Sequence, residues 1–401
     1  MKNLIFFDDD ARDGLLPLTF TRPVCELRCG ILTLREKWER RLGGTGSFVT
    51  QDYLSDKYDI AISETNYMIN GSVLPSDALV EAIESLRGNE ALLEDGNLIA
   101  ARLDQLEFEA LINDSGTNRF TGIELESGST DRIQRPFHLF QKNDPEIRRD
   151  FALLTAGRTG QPLDESNTLL GAADQLFIEE GATVLASTLN TTTGPIYIGR
   201  DAQVMEGCLV RGPFALCDHG VLKMGAKIYG ATTVGPYSKV GGEVNNSILT
   251  AYSNKGHDGF LGNSVLGEWC NLGADTNNSN LKNNYGEVKV WSYVHEEKRP
   301  SGLQFCGLIM GDHSKAGINT MFNTGTVIGV GCNIFGGGYP DTFVPSFTWG
   351  GTGGQSVTHR TAKMFEAAQR MMERRDETLT TVDRMILIRV EEEEARYRHW
   401  E

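Results

Sequence analysis

The sequence predicts an α/β domain, then a left-handed parallel β-helix of hexapeptide repeats, then a C-terminal helical tail. The β-helix is predicted by an aliphatic residue at every sixth position over more than forty residues: Ile198, Val204, Val210, Leu216, Leu222, Ile228, Val234 and Val240. A helix would repeat its apolar residues near 3.6 and a strand near 2, so neither explains a period of six. Stacked coils with three flat faces do explain it. Before residue 155, short apolar runs alternate with helical spacing, which predicts the α/β domain.

We expect an α/β domain over residues 1–155, a linker over 156–177, the β-helix over 178–345 and a helical extension over 346–401. The net charge of −16 disfavours nonspecific binding to nucleic acid or a membrane surface. The amino-terminal apolar run has four residues and ends in three acids, unlike a signal peptide or a transmembrane helix. We therefore expect a cytoplasmic protein. The seven cysteines form no CxxC pair, which predicts free thiols.

Within the α/β domain, residues 4–7 and 66–70 are predicted strands. Residues 30–38 begin a helical pattern, and residues 77–87 form a predicted helix after a Ser76 cap. Parallel α/β sheets bind ligands at the carboxyl ends of their strands. The loops after Phe7 and Ile69 are therefore the expected ligand sites of this domain.

The residues near those loops resemble the motifs of a known enzyme family. The segments LLPLTFTRPVCELRCGILTLREKW, residues 15–38, and NGSVLP, residues 70–75, resemble sugar-1-phosphate nucleotidyltransferases, which implies a nucleotidyltransferase-like, Rossmann-like fold. In that family a glycine-rich loop holds nucleotide phosphates and an aspartate binds Mg²⁺. Here the loop reads DDDARDG, which should repel phosphates, and Ser72 replaces the aspartate with a poor Mg²⁺ ligand. The sequence favours a domain that has lost or reworked nucleotidyl transfer. Mg²⁺ is required only if the domain is active. Two interpretations of Asp8, Asp9 and Asp10 stay open. They either bind Mg²⁺ themselves or form a solvated acidic strand end.

The hexad pattern begins at Ile178 and returns after two polar interruptions, near residues 245–258 and 277–308. Phe260, Leu266 and Leu272 are in step after the first interruption. After the second, the residues in step are Met310, Ala316, Phe322, Ile328 and Ile334. Insertions at the corners of a solenoid commonly carry function, so we expect the chemistry in these interruptions.

The first interruption opens the strongest motif, NKGHDGFLGNSVLGEWCNLGADTNNSNLKNNYG at residues 254–286. It resembles the bifunctional glucosamine-1-phosphate N-acetyltransferase and N-acetylglucosamine-1-phosphate uridylyltransferase family. The family pattern H-x-x-[YF]-[IL]-G, then N-[IL]-G-A-[GD]-T and N-Y-[DG]-G, is matched from His257, from Asn271 and from Asn284. The resemblance implies acetyl-CoA, an amino-sugar phosphate or nucleotide sugar as the small-molecule partner, a role in UDP-N-acetylglucosamine synthesis, and a homotrimer.

In this resemblance His257 is the catalytic base, because histidine exchanges protons near neutral pH; otherwise it is a surface residue. Asn271, Asn284, Tyr285 and Phe260 contact the sugar or the reacting amine. The two asparagines are alternatively corner residues with left-handed backbone.

The cations that fix the sugar phosphate in the family are absent, with Gly241 and Asn245 near their places. An anionic substrate needs some cation. Candidates are Lys255 and Lys282, then Lys239, Lys289 and Arg211, although any of them is alternatively a solvated surface charge.

The later coils, residues 311–336, imply the acetyl-CoA site. In the resemblance Ala316 or Gly317 admits the pantetheine arm, and Lys315, with His313, meets the CoA phosphates; trimer contacts are the alternative. Beyond a glycine-rich link, residues 359–372 and 381–396 are predicted helices. Their charge runs, ERR at 373–375 and EEEE at 391–394, indicate solvated faces.

Three other functions stay open. One is a sugar-1-phosphate nucleotidyltransferase whose β-helix serves trimerisation and regulation, which Ser72 disfavours. Another is a nonenzymatic scaffold that binds nucleotide sugars, which His257 in its motif disfavours. A zinc enzyme of the γ-carbonic anhydrase type needs three converging histidines. His219, His257 and His313 are too widely spaced for that, and we expect no metal site.

Overall fold

The computed structural model describes residues 1–112, 120–353 and 356–400. Two compact units are present. The front unit comprises residues 1–15, 22–27 and 32–135, and the coil unit comprises residues 16–21, 28–31 and 136–401. The domain boundaries predicted at 155, 177 and 345 stay a prediction.

The front unit contains a six-stranded mixed sheet with the order β2-β1-β3-β6-β5-β7. Strand β1 pairs in parallel with β2 and β3, whereas β6 runs antiparallel to β3 and β5. A separate short antiparallel pair joins β4 and β8. The strands are β1 Lys2–Phe7, β2 Gly44–Val49, β3 Thr65–Asn70, β4 Val73–Leu74, β5 Glu90–Glu94, β6 Asn97–Asp104, β7 Thr121–Glu124 and β8 Asp131–Arg132.

Helices of the front unit follow the strands, as the alternating pattern predicted. They are α1 Ala11–Gly14, α2 Leu34–Leu42, α3 Asp77–Ser85 and α4 Gln105–Ile112, with 3-10 turns at Val24–Glu26 and Asp52–Leu54. The predicted Ser76 cap is confirmed, because its hydroxyl accepts a hydrogen bond from the backbone N–H of Leu79 at 3.2 Å. Helix α2 begins later than predicted, after a capping box at Thr33 and Glu36.

The coil unit contains three stacked parallel sheets, and the predicted β-helix is confirmed. The first face has nine strands: β10 Leu176–Ile178, β13 Ile196–Ile198, β16 Phe214–Leu216, β19 Thr232–Val234, β22 Ile248–Ala251, β25 Val265–Glu268, β30 Leu308–Met310, β33 Thr326–Ile328 and β35 Phe343–Val344.

The second face has ten strands, of which the last runs antiparallel. They are β11 Thr183–Val184, β14 Gln203–Val204, β17 Val221–Leu222, β20 Lys239–Val240, β23 Asn254–Lys255, β26 Asn271–Leu272, β31 Lys315–Ala316, β34 Asn333–Phe335, β36 Thr348–Gly351 and β37 Ser356–Thr358. This face positions the candidate site.

The third face has six strands, and the later coils add a short parallel pair. The six are β9 Thr168–Leu170, β12 Thr188–Asn190, β15 Leu209–Arg211, β18 Lys227–Tyr229, β21 Glu243–Asn245 and β24 Phe260–Gly262; the pair is β27 Asn277–Asn278 and β32 Met321–Phe322. A hairpin of β28 Lys289–Ser292 and β29 Glu297–Pro300 extends from the coils within the second interruption.

The interior of the coils is the predicted aliphatic stack. All eight residues of the hexad pattern are buried in one hydrophobic cluster, and so are the five predicted from Met310 to Ile334. One position in the first interruption was predicted wrongly: Leu261 is buried, with 1% exposed, and Phe260 is half-buried. The step from Lys255 to Leu261 is six residues and the step from Leu261 to Leu266 is five, so the phase shifts by one residue in the turn after this strand, where Asn263 has φ +47°.

A ladder of stacked rings runs along one corner of the coils. It joins His219, Tyr237, Tyr252, Trp269 and His313, with centroid separations of 4.5, 5.0, 4.1 and 6.3 Å in that order. Every member has a positive φ, between +54° and +60°. Because the corner requires the same left-handed conformation in each coil, it aims successive side chains in one direction.

Three helices complete the coil unit: α5 Pro136–Thr155, α6 Thr361–Glu373 and α7 Thr381–Glu394, with 3-10 turns at Ala173–Gln175 and Ala395–Tyr397. The side-chain amide of Asn143 on helix α5 donates a hydrogen bond to the carbonyl oxygen of Ala231 at 2.9 Å, which fixes the helix to the coils. The two C-terminal helices match their predictions closely.

The acidic run at the end of α7 is only partly solvated, because Glu394 is 1% exposed. Its carboxylate accepts hydrogen bonds from the backbone N–H of Ser346 at 3.0 Å and the hydroxyl of Tyr293 at 3.3 Å. Burial raises the pKa of Glu394 to about 7.

The seven cysteines are free and buried. Within the described parts of the chain, no helix has both the length and the apolar character needed to cross a bilayer.

Candidate functional site

A cavity of about 690 Å³ in the coil unit contains His257. One wall is a row of outward-facing side chains on the second face: Lys239, Asn254, Asn271 and Lys315 are register partners on successive strands. Parallel strands stack about 4.8 Å apart, so the row presents one polar group per coil. The end of helix α6 supplies the opposite wall. We call this the His257 cavity.

His257 lies in the turn between β23 and β24, and its side chain is exposed. A glycine pair on the preceding coil lets the turn approach closely. A Cβ on Gly242, which has φ +69°, would stand 2.9 Å from the carbonyl oxygen of His257. Within residues 1–112, 120–353 and 356–400, the imidazole makes no hydrogen bond, so both ring nitrogens are available to a ligand.

Lys255 lies beneath this turn, on the inward row, where its strand partner is Val240. It is 1% exposed, and its ammonium donates hydrogen bonds to the carbonyl oxygens of Gly241 at 3.0 Å and His257 at 2.8 Å. Burial lowers the pKa of Lys255 to about 8, against the opposing influence of the Asp258 and Asp275 carboxylates. Lys255 therefore braces the His257 turn from inside the coil. Its predicted substrate-binding role stays a prediction.

Cations dominate the cavity. Its lining includes Lys223, Lys239, Lys315, Arg370, Arg374 and Arg375. No carboxylate occurs among the described residues that line it. Arg374 and Arg375 were interpreted from the sequence as part of a solvated charge run. That interpretation was wrong for Arg375, which is half-buried and donates to the side-chain oxygen of Asn254 at 3.4 Å.

A second cavity of about 520 Å³ shares Lys315 and Arg370 with the first. Its other lining residues include Trp349, Arg360 and Lys363. Trp349 continues the outward row, because Lys315 pairs with Asn333 and Asn333 pairs with Trp349. The two cavities therefore follow one another along the second face, under helix α6.

Of the predicted site residues, the structure brings His257, Asn271 and Lys315 together in the His257 cavity. Burial lowers the pKa of Lys315, whose ammonium donates to the carbonyl oxygen of His313 at 2.9 Å. Ala316 is buried within the coils, next to Lys315. A Cβ on Gly317 would stand 3.2 Å from the Cβ of Phe335 on the next coil.

The remaining predicted residues do not line either cavity in a single chain. Phe260 lies on the third face. Lys282, Asn284 and Tyr285 lie in the second interruption, where Lys282 donates to the carbonyl oxygen of Glu287 and Tyr285 is 68% exposed. Asn284 accepts a hydrogen bond from the backbone N–H of Gly286 at 3.0 Å. Their roles stay predictions.

The left-handed corner conformation, considered for the two asparagines, occurs at Asp275 and Tyr285 instead, with φ of +54° and +57°. Asn271 lies on β26 with its side chain in the cavity.

Sequence reasoning missed Asn254, Tyr252 and Trp269 of the cavity lining, together with Arg370 and Arg374. Asn254 could have been found, because it stands three residues before His257, on the strand that enters its turn. The arginines could not, because only the folded C-terminal helix brings them to the second face.

At the strand ends of the front unit, the acidic residues have protein partners. Asp9 forms an ion pair with Arg132 and accepts a hydrogen bond from the side-chain amide of Asn70 at 2.8 Å. Ser72 donates to Asn70 at 2.7 Å and accepts from Arg132 at 3.1 Å. The predicted solvated strand end is therefore wrong for Asp9, which is neutralised within the protein.

Asp8 accepts hydrogen bonds from Thr50 at 2.6 Å and from the backbone N–H of Val24 at 2.9 Å, and burial raises its pKa to about 6. A Mg²⁺ ion needs carboxylate oxygens that are free to coordinate it. With Arg132 already on Asp9, the side chains of this network do not fit such an ion. Over the described ranges, no three His, Cys, Asp or Glu side chains are grouped to hold a metal.

Parts of the chain are similar to known proteins. Residues 4–159 match the family model described as sugar nucleotidyl transferase. The bifunctional protein GlmU of Methanocaldococcus jannaschii is 36% identical over 92 residues, which cover 23% of this chain and 22% of the relative. The bifunctional sugar-1-phosphate nucleotidylyltransferase/acetyltransferase of Sulfurisphaera tokodaii is 30% identical over 146 residues, 36% of each chain.

Among solved structures, the polySia specific acetyltransferase NeuO matches 53% of this chain and 94% of its own, at 12% identity and a TM-score of 0.28. The chain matches between about a fifth and about a third of the length of the curated relatives named above.

Residues 4–159 thus match a sugar nucleotidyl transferase model, and the β-helix follows them in the chain. The chain resembles the bifunctional nucleotidylyltransferase/acetyltransferase family, as its motifs predicted.

Proposed function

We propose that this protein is an acetyl-CoA-dependent N-acetyltransferase that acts on an amino-sugar phosphate in UDP-N-acetylglucosamine synthesis. The observation that carries the proposal is His257, unpartnered among the described residues, in a cavity lined by cations and asparagines. An amine acceptor with a phosphate group has the matching chemistry. The similarity to bifunctional relatives, one of them named as an acetyltransferase, supports it.

His257 accepts the proton that the amine of the sugar loses as it attacks an acetyl group. Histidine performs this exchange near neutral pH, and such general-base catalysis contributes about 10²- to 10⁴-fold in rate. Lys255 fixes the backbone carbonyl of His257, which holds the turn in one position. Asn271 and Asn254 offer amide groups to the hydroxyls of the sugar from neighbouring coils.

Acetyl-CoA supplies the activated acetyl group. The second cavity suits the nucleotide end of such a donor, because Trp349 offers a ring for stacking and Arg360 offers a charge for phosphate. Lys315 lines both cavities, so a long ligand can extend from one into the other. As the resemblance implies, we propose that the small residues Ala316 and Gly317, which follow Lys315, leave room for the pantetheine arm.

For the front unit we propose binding or a structural role in place of nucleotidyl transfer. The family match supports a nucleotide-sugar site, yet the ion pair of Asp9 with Arg132 removes the charge that a catalytic Mg²⁺ would need.

We further propose the homotrimer that the resemblance implies. Asn284 and Tyr285 are exposed, and a neighbouring subunit could receive them at its own cavity. Light scattering should then give three times the mass of one chain. A monomer at micromolar concentration would contradict the trimer and the shared site together. The cytoplasmic location stays a prediction.

The acetyl transfer is tested by thiol release from acetyl-CoA in the presence of glucosamine-1-phosphate. We expect release by the wild type and loss in His257→Gln. The matched control is His295→Gln, which changes an exposed histidine of the hairpin. Absence of thiol release with every amino-sugar phosphate would refute the proposal.

A further inference from the structure

Four cations converge on one end of the His257 cavity. Lys239 lies on β20, and Lys223 directly follows the paired strand β17 on the adjacent coil. Arg374 caps the carboxyl end of helix α6, and Arg375 follows it. All four line the cavity, and we call them the cation cluster.

The cluster has almost no partners of its own. Within the residues that the structure describes, the side chains of Lys223, Lys239 and Arg374 make neither a hydrogen bond nor an ion pair. Arg375 reaches only the neutral side chain of Asn254, at 3.4 Å. Other arginines of the C-terminal helices have carboxylate partners, as in the pairs of Arg370 with Glu366 at 2.6 Å and Arg389 with Glu393 at 2.9 Å.

These like charges repel one another. Burial, followed by the charges of Arg375, Lys223 and Arg374, lowers the pKa of Lys239. Glu377, an acid of the same C-terminal segment, accepts a hydrogen bond from Tyr252 at 3.4 Å. On a chain with a net charge of −16, such a group is stabilised only when an anion enters it.

We infer that the cation cluster is a phosphate-binding site, in which the end of helix α6 supplies the arginines that hold a substrate phosphate beside His257. This inference rests on the proposed acetyl transfer for its substrate, although phosphate binding is measurable without it. Arginine matches phosphate through paired N–H donors. Arg375 contacts Asn254, which stands three residues before His257, so a phosphate held there leaves the rest of its molecule near the imidazole.

Two molecules carry suitable phosphates, the amino-sugar phosphate and CoA. The cluster lies at the Lys223 end of the outward row, whereas the second cavity lies at the Trp349 end, beyond Lys315. This order along the face assigns the phosphate of the sugar to the cation cluster and CoA to the second cavity.

Calorimetric titration of the full chain with inorganic phosphate tests the site directly, followed by separate titrations with glucosamine-1-phosphate and with CoA. We expect Arg374→Gln/Arg375→Gln to weaken phosphate and glucosamine-1-phosphate about 100-fold, because each charge-assisted hydrogen bond contributes roughly 10-fold or more. The affinity for CoA should change less than 3-fold. Arg389→Gln, which removes one positive charge from an exposed part of α7, should match the wild type with all three ligands.

Lys239→Gln provides a second variant on the coil side of the cluster. It is needed if thermal unfolding shows that the arginine variant is not folded. Equal phosphate affinity in wild type and both cluster variants would overturn the inference, as would a wild type that binds none of the three ligands. A selective loss of CoA affinity would keep the phosphate site but assign it to the donor. Loss of phosphate binding in a protein that releases no thiol would refute the acetyl transfer while leaving the site intact.

Discussion

The buried lysine beneath the His257 turn makes stability depend on pH in a defined window. The amine of Lys255 has an ordinary pKa of 10.5 and a pKa of about 8 in the folded chain. Between these values the unfolded chain binds more protons, so the free energy of unfolding should rise with pH and then level off. Below about 8 both states are protonated, and the cost of burying the charge is present in full.

The size of the effect follows from the two pKa values. The difference between 10.5 and about 8 corresponds to about 3 kcal/mol, at about 1.36 kcal/mol per pKa unit. Lys255→Met removes this dependence and leaves the carbonyl oxygens of Gly241 and His257 without their donor, at roughly 1–3 kcal/mol each. We therefore expect the variant to be close to the wild type in stability at pH 7 and less stable above pH 10.

The assay is urea unfolding of wild type and Lys255→Met between pH 7 and 10.5. The difference between the two unfolding free energies should change by about 3 kcal/mol across this range. Lys298→Met, which alters an exposed lysine of β29, should run parallel to the wild type. If the unfolding free energy of Lys255→Met also runs parallel to that of the wild type across this pH range, the assignment of a buried, charged lysine that braces the turn is refuted.

Three further predictions concern other groups. His257→Gln should lower kcat for acetyl transfer about 10²- to 10⁴-fold, with little change in the KM for acetyl-CoA, in steady-state thiol release; an unchanged kcat would exclude His257 as the base. In the folded chain Glu394 has a pKa of about 7, above its ordinary 4.5. The unfolding free energy should thus fall by about 3 kcal/mol as pH rises between these values. Glu394→Gln should abolish that fall in thermal melts, and an identical pH profile would contradict it. Because Arg132 pairs with Asp9, UTP, Mg²⁺ and a sugar-1-phosphate should yield no pyrophosphate, and steady pyrophosphate release would show that the ion pair opens.

The coils and part of the cavity lining were predictable because they follow local rules. Each inward residue is set by the period of six, and His257 and Asn271 lie close in the chain on successive coils. Their spacing therefore predicted that they would meet. The phase failed at Phe260, because the step between the inward residues Leu261 and Leu266 is five residues, which a fixed period of six cannot anticipate.

The cation cluster was not predictable, because it depends on a contact between segments far apart in the chain. Lys223 and Lys239 are more than a hundred residues from Arg374 and Arg375, and no local pattern relates them. The buried position of Lys255 was not predictable for a similar reason. Its charge suggested solvent or substrate, whereas the shortened coil places it opposite Val240, on the inward row.

The ladder of stacked rings at the corner gives the coils a distinct circular dichroism signal. Tyr252 and Trp269 lie nearly parallel, with 11° between their planes and 4.1 Å between their centroids, so their electronic transitions couple. Coupled aromatic transitions give paired bands of opposite sign in near-ultraviolet circular dichroism, which an isolated ring lacks. Since both rings line the His257 cavity, the same bands would report ligand entry, and the order of the coil stack could be followed without a label.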